Sequence, residues 1–121
     1  MPGWPQRLVT SCGDILSVAT GAVLKTVAHV GGDEIWFNGG DERVYFGGGL
    51  DRISVPVVET DSNTLITTLT VGLLQPPPPS NSHTTHSLAA DSENNRIFVP
   101  VSHEGVKVYT DAKREDEDDK E

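Results

Sequence analysis

Apolar residues along this chain arrive in short bursts separated by glycine, asparagine, aspartate and serine, without the spacing of three and four that marks an amphipathic helix. "DEIWFN", "RVYFG", "ISVPVVE" and "LITTLTV" read as strands, and "GGDE", a Gly-rich link and "TDSN" read as the turns between them. Val44-Tyr45-Phe46 and Ile97-Phe98-Val99 are apolar at consecutive positions, so both faces of each strand need cover. Pro56 and Pro100 fall inside predicted strands and each removes a ladder donor, which predicts an irregular point in both.

The bursts are not independent of one another. Residues 33–46 align without a gap on 86–99, an offset of 53: Ile35 meets Leu88, Asn38 meets Asp91, Arg43 meets Arg96, and the two triplets above coincide. "VLKTVAHVG" aligns on "TLITTLTVG" at an offset of 41, with Leu24/Leu65, Thr26/Thr67, Val30/Val71 and Gly31/Gly72 identical. The offsets differ by 12, and "LLQPPPPSNSHTT" supplies the difference, since thirteen residues separate Gly72 from His86 where one separates Gly31 from Asp33. A period of about 41 residues with one inserted loop accounts for both, a length typical of propeller blades built from four antiparallel strands.

Over residues 14–110 the pattern resembles the YVTN/NHL-type β-propeller repeats, carried by "GGDERVYFGGG…ISVPVVETDSNTLITTLTVG" and "HSLAADSENNRIFVPVSHEGVKVYT". The resemblance implies an all-β fold of antiparallel four-stranded blades. Residues 14–31 would give half a blade, 33–72 a full blade, 73–85 a Pro-rich inserted loop and 86–110 a partial blade. Residues 1–13 read as an N-terminal extension and 111–121 as an acidic disordered tail. About nine strands make an incomplete ring, since propellers close with four to eight blades. We read the chain as a fragment or shortened form of a larger propeller, with assembly from several copies, or a smaller open stack, as alternatives. Unpaired edges and an uncovered face also predict self-association.

Composition narrows the partners. The formal net charge is −9, and the final eleven residues hold seven acids and three bases, leaving about −5 for the rest. An acidic body repels phosphate backbones, so nucleic acid is not expected as a partner. No apolar run approaches membrane-spanning length and no signal sequence opens the chain, which points to no membrane and a cytoplasmic location. Cys12 is the one cysteine and reads as an incidental small residue.

The repeated "GGDE" invites a metal or nucleotide reading. "GGDEI" resembles the GGDEF signature of diguanylate cyclases, but the helices and second acidic motif of that domain are missing. The carboxylates do not fall on the alternate positions of an EF-hand loop, and no helix follows the glycines at 47–49 to cradle a phosphate. Gly39 to Glu42 therefore reads as a turn. Asp33 and His86 stand apart, because they are equivalent positions at the start of the innermost strand, where the resemblance implies approach to a central channel. They are the candidate ligand-binding residues and the candidate ligands of a divalent cation. Trp36 and Asn38 join them as ligand-binding candidates, although packing between blades suits Trp36 and turn capping suits Asn38 and Asp91. His83 and His86 form a His-x-x-His pair without an aligning helix, and His29 and His103 read as surface or turn residues.

No nucleophile-base order and no close carboxylate pair emerges, so the leading expectation is a binding or interaction module that presents a propeller face to a small molecule or a protein. The alternative is a propeller enzyme, either a lactonase-like metal-dependent hydrolase or a fungal biosynthetic cyclase of the pericyclic, hetero-Diels-Alderase type.

Overall fold

A computed structural model of the chain describes residues 6–75 and 81–110. The four-proline run and the acidic C-terminal stretch lie outside these residues. The described residues are all-β and contain no helix; their ten strands form three antiparallel sheets in an open array. The first sheet holds β1 (Arg7–Val9), β2 (Asp14–Ser17) and β3 (Val23–Thr26) in that order. The middle sheet holds β4 (Glu34–Asn38), β5 (Arg43–Gly47), β6 (Ser54–Glu59) and β7 (Thr64–Thr70), again in chain order. The third holds β8 (Ala89–Asp91), β9 (Arg96–Val101) and β10 (Gly105–Thr110). The tenth strand, β1, lies ahead of the segment in which the pattern predicts strands: three residues are too few to show an alternation.

The middle sheet is covered on both faces. Val44, Phe46 and Val58 pack with Ile15, Val27 and Val30 of the first sheet and its exit, while Tyr45, Val55 and Val57 pack with Leu88, Ile97, Val99 and Val101 of the third. Successive side chains of a strand point to opposite faces, so the consecutive apolar residues of β5 feed two separate cores. Every residue of β6 is buried. The flanking sheets have cover on one face only. Val106 and Val108 of β10 and Val23 and Leu24 of the first sheet are more than half exposed.

Turn chemistry fixes where the strands reverse. Asn38 Oδ1 accepts from Gly40 N at 3.0 Å, and at the aligned position Asp91 Oδ1 accepts from Glu93 N and Asn94 N at 3.2 and 3.3 Å. These side chains mimic a backbone turn. Each turn ends on a left-handed residue, Glu42 with φ 60° and Asn95 with φ 58°. Pro56 sits beside a register shift between Val57 and Val58, where β7 carries one extra residue. Pro100 causes no shift against β10 and falls beyond the end of β8.

The glycines at 47 and 48 answer a steric demand. The segment leading into β8 crosses the end of β5 so closely that a Cβ on Gly47 would lie 3.0 Å from the Ser87 backbone, and one on Gly48, whose φ is 92°, would lie 3.0 Å from the Thr85 carbonyl. No described helix is long and apolar enough to cross a membrane.

Phe46 is fully buried at the centre of the core between first and middle sheets. Replacing it with alanine removes the burial of an aromatic ring and leaves a cavity, so Phe46→Ala should lower unfolding stability by about 3–5 kcal/mol in urea titration.

Candidate functional site

Asp33 and His86, 53 positions apart in sequence, meet in space: His86 Nδ1 lies 2.7 Å from Asp33 Oδ2. Both backbones are held. Asp33 N donates to Gly47 O at 2.8 Å, extending the β4–β5 ladder by one residue. Beside His86, the buried Thr85 donates its N–H to Arg52 O at 2.9 Å and its hydroxyl to Ser87 O at 3.1 Å. The side chains stay open to solvent, with 59% of His86 and 63% of Asp33 exposed. A carboxylate on Nδ1 orients the ring, and an exposed imidazole is able to accept or donate a proton.

As a cation site the pair supplies two side chains. Among the described residues no group of three or more His, Cys, Asp or Glu could hold a metal ion together, whereas catalytic zinc sites use three protein ligands. The residues described here therefore do not complete such a site.

The other predicted residues take different roles. Asn38 is fully buried, and its Nδ2 donates to Asn95 Oδ1 at 2.8 Å, tying the middle sheet to the third while its oxygen caps the turn. Trp36 shares that face of β4 by alternation but remains 45% exposed, short of the packed position the pattern suggested for it. His83 and His86 do not work as a pair. His83 Nδ1 lies 2.7 Å from Glu104 Oε2, and its ring centroid is 5.7 Å from that of His103, which the sequence left without a partner. Glu104 also holds Lys107 Nζ at 2.8 Å, and Lys107 donates to Val71 O at 2.7 Å. The hydrogen bond from Lys107, then that from His83, holds the Glu104 carboxyl below its ordinary range; the same contact raises Lys107.

The second "GGDE" has a packing role beyond its turn. Asp41 is buried; its Oδ1 accepts from Arg43 N at 3.0 Å and its Oδ2 accepts from the buried Tyr45 hydroxyl. Arg43 meets Glu59 across the β5–β6 ladder at 3.4 Å.

Sequence reasoning missed a cleft of about 580 Å³ between the first and middle sheets. Its apolar walls are Val9 and Ile15 on one side and Ile35, Phe37 and Val44 on the other, with Arg7, Glu42, Thr60 and Asn63 among its polar lining. It lies where β4, which meets β8 on one face, is only loosely covered on the other, Ile35 being partly buried against the core shared with the first sheet. Phe37 is accordingly 53% exposed. The Arg7 guanidinium donates to Thr60 O at 2.9 Å and Asn63 Oδ1 at 2.7 Å, both uncharged acceptors. The signal available in sequence was the strand count: half a blade beside a full one leaves one inner strand loosely covered.

No protein-family profile matches the chain, and no curated protein matches it.

Two outcomes test the electrostatics. An exposed hydrogen-bonded pair couples weakly, so a double-mutant cycle with Asp33→Ala and His86→Ala should return less than about 1 kcal/mol of coupling in urea unfolding. For Glu104, whose folded pKa is depressed, the contribution is present above the ordinary glutamate range and is lost as pH falls through the lower folded value. Thermal midpoints of Glu104→Gln should therefore lie below those of the unaltered chain at neutral pH and converge with them in acid.

Proposed function

We propose that this chain is a non-catalytic binding module, part of a β-propeller of the YVTN/NHL type, and that it holds an amphipathic small molecule in the cleft between its first and middle sheets. The observation that carries the reading is the cleft itself. Its volume of about 580 Å³ falls inside the roughly 300–1,000 Å³ of small-molecule sites, and apolar walls with a few polar groups are the usual lining of such sites. The walls are strands backed by a buried core, so the cleft is formed before a ligand arrives and little ordering cost falls on binding.

Charge sets the ligand's orientation. The Arg7 hydrogen bonds to Thr60 O and Asn63 Oδ1 leave the charge on the guanidinium, which would meet an anionic group at that end. Glu42 on the same lining disfavours a polyanion. The ligand class is thus an elongated apolar body with one acidic head. Among the described residues no Ser, Cys or His lines the cleft, which suits retention rather than turnover.

The enzyme reading rests on one observation, the 2.7 Å Asp33–His86 contact. That pair would serve as acid and base, or as part of a cation site that further blades complete, in lactone hydrolysis or ring closure. Turnover of a lactone panel with added divalent cations, lost in His86→Ala, would support this reading over the first.

The cleft is tested with the anionic amphiphile 8-anilinonaphthalene-1-sulfonate. Fluorescence titration of the folded chain should show saturable one-to-one binding, and Phe37→Asp should weaken it by about tenfold or more, as expected for losing an aromatic wall worth about 1.5–3 kcal/mol. Equal affinity in a Phe37→Asp chain that still unfolds cooperatively would remove the cleft from consideration.

A further inference from the structure

The outward faces of the two flanking sheets are apolar, and their residues have counterparts inside the molecule. On β9 and β10, Phe98 and Val108 are cross-strand partners, as are Tyr45 and Val57 on β5 and β6. Tyr45 and Val57 are buried, because the third sheet lies on them. Phe98 is half-buried and Val108 is 55% exposed, because no sheet lies on the third. The same holds one pair further along: Val55 is fully buried, and Val106, at the matching place on β10, is 62% exposed. The third sheet therefore turns outward the side chains with which the middle sheet receives a neighbour.

At the other end the first sheet does the same. Val9 and Ile15 point into the core, so their neighbours Leu8 and Leu16, which are cross-strand partners, point outward, with Val23 opposite Leu16. Leu8 and Val23 are 57% and 58% exposed. The corresponding face of the middle sheet, made by Val44, Phe46 and Val58, is the one seated on the first sheet.

From this we infer that two copies of the chain assemble head to tail, the third sheet of each packing on the first sheet of the other, to close a ring of six sheets. The interface is the internal sheet-on-sheet contact repeated between molecules, so the same kind of side chain meets the same kind of side chain. The number of copies follows from closure. The described residues of one copy supply three sheets, below the roughly four that a closed ring needs, those of two copies supply six, and those of three would supply nine, above the usual limit of about eight. A head-to-tail contact that closes gives a finite ring and one that does not gives a filament. The inference is independent of what the cleft holds, because it concerns the opposite faces of the first and third sheets.

Sedimentation of the full chain at micromolar concentration tests it. A species of twice the 13.0 kDa chain mass is expected. Val108→Lys, on the third sheet, and Val23→Lys, on the first, should each give monomers, and mixing the two should restore part of the dimer through the one contact in which neither face is altered. A monomeric unaltered chain overturns the inference, and so does a filament or any other assembly. A dimer lost in Val108→Lys and kept in Val23→Lys overturns it as well, since that result means two third sheets pack on each other. Both positions are exposed in the single chain, so cooperative urea unfolding of the variants is the accompanying check on folding. If either variant fails that check, the mass of the unaltered chain decides alone.

Discussion

A strand with apolar side chains on consecutive positions cannot rest on one layer. Val44, Tyr45 and Phe46 in β5, and the wholly buried β6 beside it, commit the middle sheet to neighbours above and below. Each neighbour contributes its own alternating set, Ile15 with Val27 and Val30 from one side, and Leu88, Ile97, Val99 and Val101 from the other. Two thin cores result where a domain of this size commonly has one. The buried apolar surface of the stack is thereby concentrated on β5 and β6.

Polar contacts then fix how the sheets sit on one another. Arg7 of the first sheet reaches Thr60 O and Asn63 in the β6–β7 turn, and Asn38 of the middle sheet reaches Asn95 in the β8–β9 turn. Apolar packing is non-directional, whereas a hydrogen bond between turns has a defined length and angle. These ties sit at the rim of the array. The Arg7 tie also holds the guanidinium on the lining of the cleft, so sheet alignment and the proposed ligand contact share one side chain.

Much of this was legible in the sequence. Turn residues and short apolar runs marked four strands, the repeat and its blade order implied about nine where the described residues have ten, the aligned segments placed Asn38 and Asp91 as turn caps, and the same alignment singled out Asp33 and His86, which the structure brings into contact. What escaped was whatever depended on three-dimensional counting. β1 is too short to carry a pattern, and the cleft arises where one sheet only loosely covers the next rather than from any residue type. His103 was silent for a related reason. Its neighbour His83 comes from the far end of the insertion, brought close only when Thr84 N bonds Ser102 Oγ at 2.9 Å and Ser102 N bonds Thr84 O at 2.9 Å.

The base of that insertion is a closed neck. Leu73 and His83 exchange both backbone hydrogen bonds, at 2.9 and 2.7 Å, and Ser82 is buried with its hydroxyl accepting from Gln75 N at 3.0 Å. These bonds hold the two ends of the insertion together at its base. Since closure entropy grows only logarithmically, each doubling of the enclosed length costs about 0.6 kcal/mol. The neck is thus a natural graft point, where foreign peptide can be spliced in and displayed while the scaffold beneath keeps its shape.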